Sequence, residues 1–167
     1  VTLEDTLMTS EHTRRRPRAP DYASENGVLV ALAREMAVNP CNLLQTLVDK
    51  AMDLCRAGTA GISVLKTDTG GEYLACEAPS GVYAPFIRSR IPRHFSPCGT
   101  TVDRNAPQLF SYPARYFTYF PQAAAPIIEA LVVPKYVSGR PCGTMWILAH
   151  DATRQFDAED VRLLTSP

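Results

Sequence analysis

The stretch FSPCGT, Phe95 to Thr100, puts a thiol four residues after His94 and directly after a Ser-Pro helix-start signal. A cysteine in the first turn of a helix has its thiolate favoured by the backbone dipole, which suits a nucleophile, a redox sensor or a chromophore anchor. Cysteine is also a small, often buried residue, and Pro-Cys-Gly suits a tight turn into a helix. Packing is the preferred reading of Cys98, ahead of a sensing thiol at a pocket rim with His94. Arg93, beside Ser96 and the same helix N-terminus, is a candidate anion partner, whereas Arg88 and Arg90 read as solvated loop arginines. His150, at a strand end next to Asp151, can act as a pocket base or simply bond a nearby loop. Trp146 can stack on a planar ligand or pack a core. Tyr116, Phe117, Tyr119 and Phe120 fit an aromatic lid and a sheet cover equally well. The candidate ligand-binding set is therefore Arg93, His94, Cys98, Tyr116, Phe117, Trp146 and His150, with no catalytic residue assigned. The three histidines and five widely spaced cysteines form neither a metal-ligand spacing nor a disulfide framework.

These residues need elements to position them. Ser96 as cap and Pro97 at the first helical position predict a short helix ending near Arg104-Asn105, followed by a brief edge strand at Pro107 to Phe110. Upstream, apolar residues recur at helical spacing over Glu25 to Ala37. A second helix starts at Asn39-Pro40, carries the stripe Leu43, Leu44, Leu47, Val48, Ala51, Met52 and Cys55, and ends at Gly58. AGISVLK and EYLACE, joined by TDTGG, predict a hairpin; Ala78 to Phe95, broken by three prolines, predicts irregular chain. Pro113 to Phe120 reads as a short helix or aromatic loop. Glu129 to Val137 and Cys142 to His150 predict a second hairpin turning at Ser138-Gly139-Arg140-Pro141, with a bulge or unpaired edge at Pro134. Thr144, Trp146, Leu148 and His150 share one face of the last strand, and Met145, Ile147 and Ala149 the other. Both faces are apolar, so helices must cover one and loops the other. Phe156-Asp157-Ala158-Glu159-Asp160-Val161 is a capped, stapled helix start. Its apolar pattern suggests a longer helix and hence a fragment of a larger protein.

Length and composition bound the rest. With 167 residues, 46% of them hydrophobic, the chain suits one domain and a tail. Charges balance at 17 against 17, which gives no overall field for nucleic acid or an anionic membrane. No apolar run reaches the roughly 20 residues of a membrane span and no signal peptide opens the chain, so a cytoplasmic location is expected. Residues 1–24, with TRRRPRAP between prolines, read as a linker or disordered leader.

The ending EALVVPKYVSGRPCGTMWILAHDATRQFDAEDVRLLTS resembles the closing pattern of the GAF domain, a sensory fold related to PAS domains, and SPCGTTVDRNAPQLF resembles that family's short helix and following strand. SPCGT, DRNAPQLF, GTMWILAHD and RQFDAEDVRLLTS are similar to the GAF sensor domains of bacterial signal-transduction histidine kinases. The resemblance covers roughly Glu25 to the end, giving a domain over 25–167. It implies an α+β, PAS-like fold with a central antiparallel sheet of five or six strands. Terminal helices would lie on one face, with loops and short helices walling a pocket on the other.

The function it implies is a sensory module of a bacterial two-component protein. Such a module binds a small ligand, relays change through its terminal helices, dimerises through them, and acts on an attached or partner kinase or other output domain. The module itself would not be an enzyme. The ligand is unknown; a bilin on Cys98 is disfavoured because the relatives that attach one in this region carry a histidine directly after the cysteine, where this chain has Gly99. Cys98-Gly99-Thr100 also resembles the Cys-Gly-Thr stretch of free methionine sulfoxide reductases, which are GAF-fold enzymes. The partner cysteine of that family falls where this chain has Gln122-Ala123-Ala124-Ala125-Pro126. A reductase and a ligand-free dimerisation scaffold stand as the alternatives.

Overall fold

Two hairpins and the strands that join them make the sheet. In the computed structural model, which describes residues 1–120 and 125–165, β1 (Thr59–Asp68) and β2 (Gly71–Cys76) pair from Asp68↔Gly71 to Ser63↔Cys76. β6 (Glu129–Val137) and β7 (Arg140–Ala149) close over Ser138 and Gly139, whose φ values of 51° and 76° give a primed turn that matches strand twist. Pro134 stays in register opposite Thr144, and the bulge falls one step further on, between Lys135 and Tyr136. Proline removes one donor, but the ladder tolerates it there, so the expected irregularity is displaced rather than absent.

Antiparallel pairing extends this core on both sides, with β3 (Ser80–Gly81) beside the start of β1. β5 (Gln108–Ser111) forms one edge and β4 (Arg90–Pro92) the other, giving the order β4-β2-β1-β7-β6-β5. The stretch from Ala78 to Phe95 thus holds two short strands and a 3₁₀ turn at Ala84–Phe86 within otherwise irregular chain.

Alternation on β7 sorts the core into two layers. Met145, Ile147 and Ala149 join Leu131 and Val133 of β6 beneath α3 (Leu43–Cys55) and α5 (Ala158–Thr165), with Val48, Cys55, Phe156 and Leu164 packed in. Trp146 and Leu148 face the other way, toward α4 (Pro97–Arg104) and the loops, with Leu74, Cys76, Phe110, Phe117 and Val132. The helix-covered and loop-covered faces are those the sequence predicts.

The ends of the helices show local chemistry at work. The Ser96 hydroxyl accepts from the Gly99 N–H at 3.0 Å, and Asn105, at φ 53°, ends α4 in the left-handed region. Asp157 Oδ1 accepts from the N–H groups of Glu159 and Asp160, while Asp160 Oδ2 accepts from the Asp157 N–H, a reciprocal cap. α3 ends at Arg56, held at φ 50°, two residues before the glycine expected to stop it. The chain leads into α3 through a 3₁₀ turn at Pro40–Asn42, which leaves Cys41 exposed.

Within residues 1–24, expected to be a linker or leader, the stretch from Leu3 to Arg18 packs on the domain. Leu7 bridges Phe110 on the β5 edge, the Met8 N–H donates to Leu109 O, and Thr6 is fully buried. After α1 (Glu11–Arg14), Arg15 pairs with the buried Glu129 at 2.5 Å and Arg18 with the buried Asp160 at 2.7 Å. The arginine run reads as solvated in sequence because both partners lie more than a hundred positions away. α2 (Tyr22–Val38) lies against α3, its Glu25 held by Arg162 of α5, but has no buried residue and leaves Leu29, Val30 and Met36 exposed. None of the described helices is long and apolar enough to cross a membrane.

Candidate functional site

On the loop-covered face lies a cavity of about 140 Å³. β7 supplies Trp146 and Leu148 to its floor, and β6 supplies Ala130 and Val132. The start of α4 brings Pro97 and Cys98, and the end of β2 brings Cys76. Tyr83 and Phe86, set edge to face at 5.3 Å, wall one side, and Tyr119 and Phe120, stacked at 4.5 Å, wall another.

The floor is fixed by the sheet register. Trp146 sits opposite Gly61 on β1, and a Cβ built at Gly61 would come within 2.2 Å of the indole ring. The indole N–H donates to Ser63 Oγ at 2.9 Å, which orients the ring. Gly61→Ala is therefore expected to push the indole out of place and cost about 1–3 kcal/mol, the usual range for overpacking a core. Tryptophan emission and the urea midpoint should both shift. An unchanged spectrum and midpoint would show that the glycine is not what makes room for the ring.

Cys76, Ser63 and Thr144 form one cross-strand row, and Cys98 meets that row from α4. Burial pushes the Cys98 thiol up to about 11, and the facing Thr144 and Ser63 hydroxyls offset only part of this. Burial takes Cys76 to about 12, with further upward pushes from Cys98 and Glu77. Both sulfurs stay protonated at neutral pH, so any help from the helix dipole at Cys98 is outweighed by desolvation. Iodoacetamide at pH 7.5 is expected to modify exposed Cys41 at least about tenfold faster than Cys98, as peptide mass mapping would read. Preferential labelling of Cys98 would restore the reactive-thiol reading.

Of the seven candidate residues, Cys98 and Trp146 line the cavity. Arg93 turns toward Asp103 at 2.8 Å, Glu72 at 3.4 Å and the Gly99 carbonyl at 3.3 Å, tying β4 to α4. His94 is exposed. Phe117 is buried against Phe110, and Tyr116 packs on Phe117 and Phe95. His150 stands just behind the cavity wall, 5.7 Å from the Tyr83 ring. Its Nδ1 lies 2.9 Å from Pro126 O, which can only accept, so Nδ1 carries a proton; Nε2 contacts Thr59 Oγ1 at 2.7 Å.

The four aromatics that suit a lid or a cover divide the work: Tyr119 and Phe120 line the cavity while Tyr116 and Phe117 pack beside it. Cys76, Tyr83 and Phe86 are among the lining residues that single-residue reading misses. Strand parity would have found Cys76, since it shares a row with Ser63 and Thr144. Of the stretch compared with the reductases, Gln122 to Ala124 lie outside the described residues. No cluster of three or more metal-ligating side chains occurs among the described residues.

The sequence profile of the GAF domain matches residues 39–166. No curated protein sequence matches significantly. Among solved structures, the GAF domain of a phosphoenolpyruvate-protein phosphotransferase from Acinetobacter superposes with a TM-score of 0.68 at 14% identity, covering 84% of this chain and 85% of that one. The GAF-B domain of DevS from Mycobacterium smegmatis gives 0.59 at 20% identity, with 76% and 85% covered. Free methionine-R-sulfoxide reductase from Neisseria meningitidis, in complex with its substrate, gives 0.62 at 20% identity, with 89% and 87% covered. At these identities the likenesses establish the fold alone.

Proposed function

The chain belongs to the GAF domain family, and on that premise we propose that it is a non-catalytic sensory module of a bacterial two-component signalling protein that binds a small molecule in the loop-walled cavity. The observation that carries this reading is the apolar cavity itself, which sits on the sheet face opposite the terminal helices. The strands offer a route for relay. Ala130 and Val132 line the cavity, and their neighbours Leu131 and Val133 point through the sheet into the layer under α3 and α5. A ligand that shifts β6 therefore presses on that helical layer through side chains one position away. The exposed apolar residues of α2 suit helix-mediated dimerisation and contact with an output domain.

Native mass spectrometry of the protein as purified, with a denatured control, tests the reading. A small molecule released only on denaturation is expected. A protein that carries none and whose α5 hydrogen exchange no small-molecule library member alters would favour the dimerisation scaffold instead.

One observation favours a reductase as the second reading: Cys76 and Cys98 share one cavity. The raised thiol pKa values weigh against it, because attack on a sulfoxide needs a thiolate. Turnover of free methionine sulfoxide with a dithiol, abolished in Cys98→Ser, would establish the enzyme and displace the sensor.

A further inference from the structure

The lining of the cavity narrows what it can hold. Its volume, about 140 Å³, is close to the roughly 150 Å³ of an apolar cavity that takes benzene, and is well below the ~300 Å³ at which drug-sized ligands begin. Five aromatic rings line it: Tyr83, Phe86, Tyr119, Phe120 and Trp146.

Its charges and thiols are already neutral or engaged. Arg90 at the wall pairs with Asp68 at 2.8 Å and lies 3.6 Å over the Tyr73 ring. The Trp146 N–H is committed to Ser63 and the Tyr83 hydroxyl to Ala125 O. The Cys76 and Cys98 sulfurs are protonated and give only weak donors.

Tyr119 differs from these. Half-buried, it shares the cavity lining with Cys76, Tyr83 and Cys98, and no hydrogen bond joins its hydroxyl to another described residue. A phenol stays protonated at neutral pH, so this hydroxyl can donate to an acceptor placed in the cavity.

The geometry points to an uncharged, planar, single-ring aromatic bearing one hydrogen-bond acceptor as the ligand, its ring packed among Phe86, Phe120 and Trp146 and its acceptor taking the Tyr119 hydroxyl proton in a hydrogen bond. Among the described lining residues an anion would meet one cation, Arg90, already paired with Asp68, and an acceptor-free ring would leave the Tyr119 donor unpaired. This assignment rests on the ligand-binding reading of the cavity.

The full chain carries one tryptophan, Trp146, so its emission reports on this cavity alone. Phenol, toluene and benzoate serve as probes, with calorimetry beside the fluorescence. Saturable quenching is expected with phenol, weaker binding with toluene, and benzoate binding at least about thirtyfold weaker than phenol. Tyr119→Phe should weaken phenol about three- to tenfold, the net worth of one hydrogen bond, and bind toluene at least as tightly as the parent does. Benzoate binding as tightly as phenol would overturn the ligand class while leaving a binding cavity in place. Equal phenol affinity in Tyr119→Phe and the parent would overturn the role of the hydroxyl. Saturation by none of the three would overturn both the class and the binding reading. The comparison of phenol with benzoate on the parent protein decides the class even if the variant fails to fold.

Discussion

Asp160→Ala is expected to lower stability by about 3–5 kcal/mol, the cost of removing one partner from a buried ion pair. Asp160 is fully buried, and its carboxylate holds three segments together. It accepts from Arg18 of the N-terminal segment at 2.7 Å, from Arg154 at 2.7 and 2.8 Å, and from the Asp157 N–H at 2.9 Å. Arg154 in turn donates to the Cys55 carbonyl through Nε and Nη2, at 2.9 and 2.7 Å, and so closes the end of α3.

Without the carboxylate, two largely buried guanidinium groups lose their counter-charge and α5 loses half of its reciprocal cap. For a domain of this size the change amounts to roughly 10 °C in Tm. Urea denaturation measures it directly. Arg18→Ala should cost less, about 1–2 kcal/mol, because Arg154 remains to neutralise Asp160. A loss below about 1 kcal/mol in Asp160→Ala would mean that the arginines rehydrate freely and that the latch carries little stability.

Asp160 also shows where sequence reading stops. Phe156-Asp157-Ala158-Glu159-Asp160 announces a capped helix, because caps are contacts between residues two or three apart, and the same holds for Ser96-Pro97 and for the Ser138-Gly139 turn. Arg154 is six residues from Asp160, but the N-terminal partners of Asp160 and Glu129 are not local. Arg18 and Arg15 lie 142 and 114 positions away, so nothing in TRRRPRAP distinguishes a latch from a solvated run.

The same limit governs the cavity. Alternation along β7 places Trp146 on the loop-covered face, and Cys98 follows from the helix start. Tyr83 and Phe86 instead come from a stretch whose prolines obscure any period. Its folding depends on β4 finding the free edge of β2. Arg93, singled out for standing beside a helix N-terminus, is drawn away by Asp103 and Glu72, two carboxylates that only the folded chain brings near it.

Alkaline pH is expected to destabilise this domain steeply above pH 9, because three of its thiols are buried. Desolvation raises Cys55 from 9.0 to about 12, helped by the neighbouring Asp160 carboxylate, raises Cys76 to about 12, and raises Cys98 to about 11. The folded state therefore holds these protons more tightly than the unfolded state does. Below pH 9 both states keep them, and the thiols give stability no slope. Above pH 9 the unfolded chain releases protons that the folded chain retains, so stability falls as pH rises, by about 1.4 kcal/mol per pH unit for each thiol.

Three thiols together give a slope of about 4 kcal/mol per pH unit, which over less than two units is comparable with the whole stability of a typical domain, roughly 5–15 kcal/mol. The slope contributed by Cys98 ends near pH 11, and that of the other two near pH 12. Lys135, whose pKa burial lowers from 10.5, acts in the opposite sense below pH 10.5, but it is one group against three. Under a phosphine reductant, the urea midpoint should stay level from pH 7 to 8.5 and then fall steeply toward pH 10. Cys98→Ala should remove about a third of that slope. A midpoint at pH 10 equal to that at pH 7 would show that the thiols reach water in the folded state, contrary to their burial around the cavity and beneath α5.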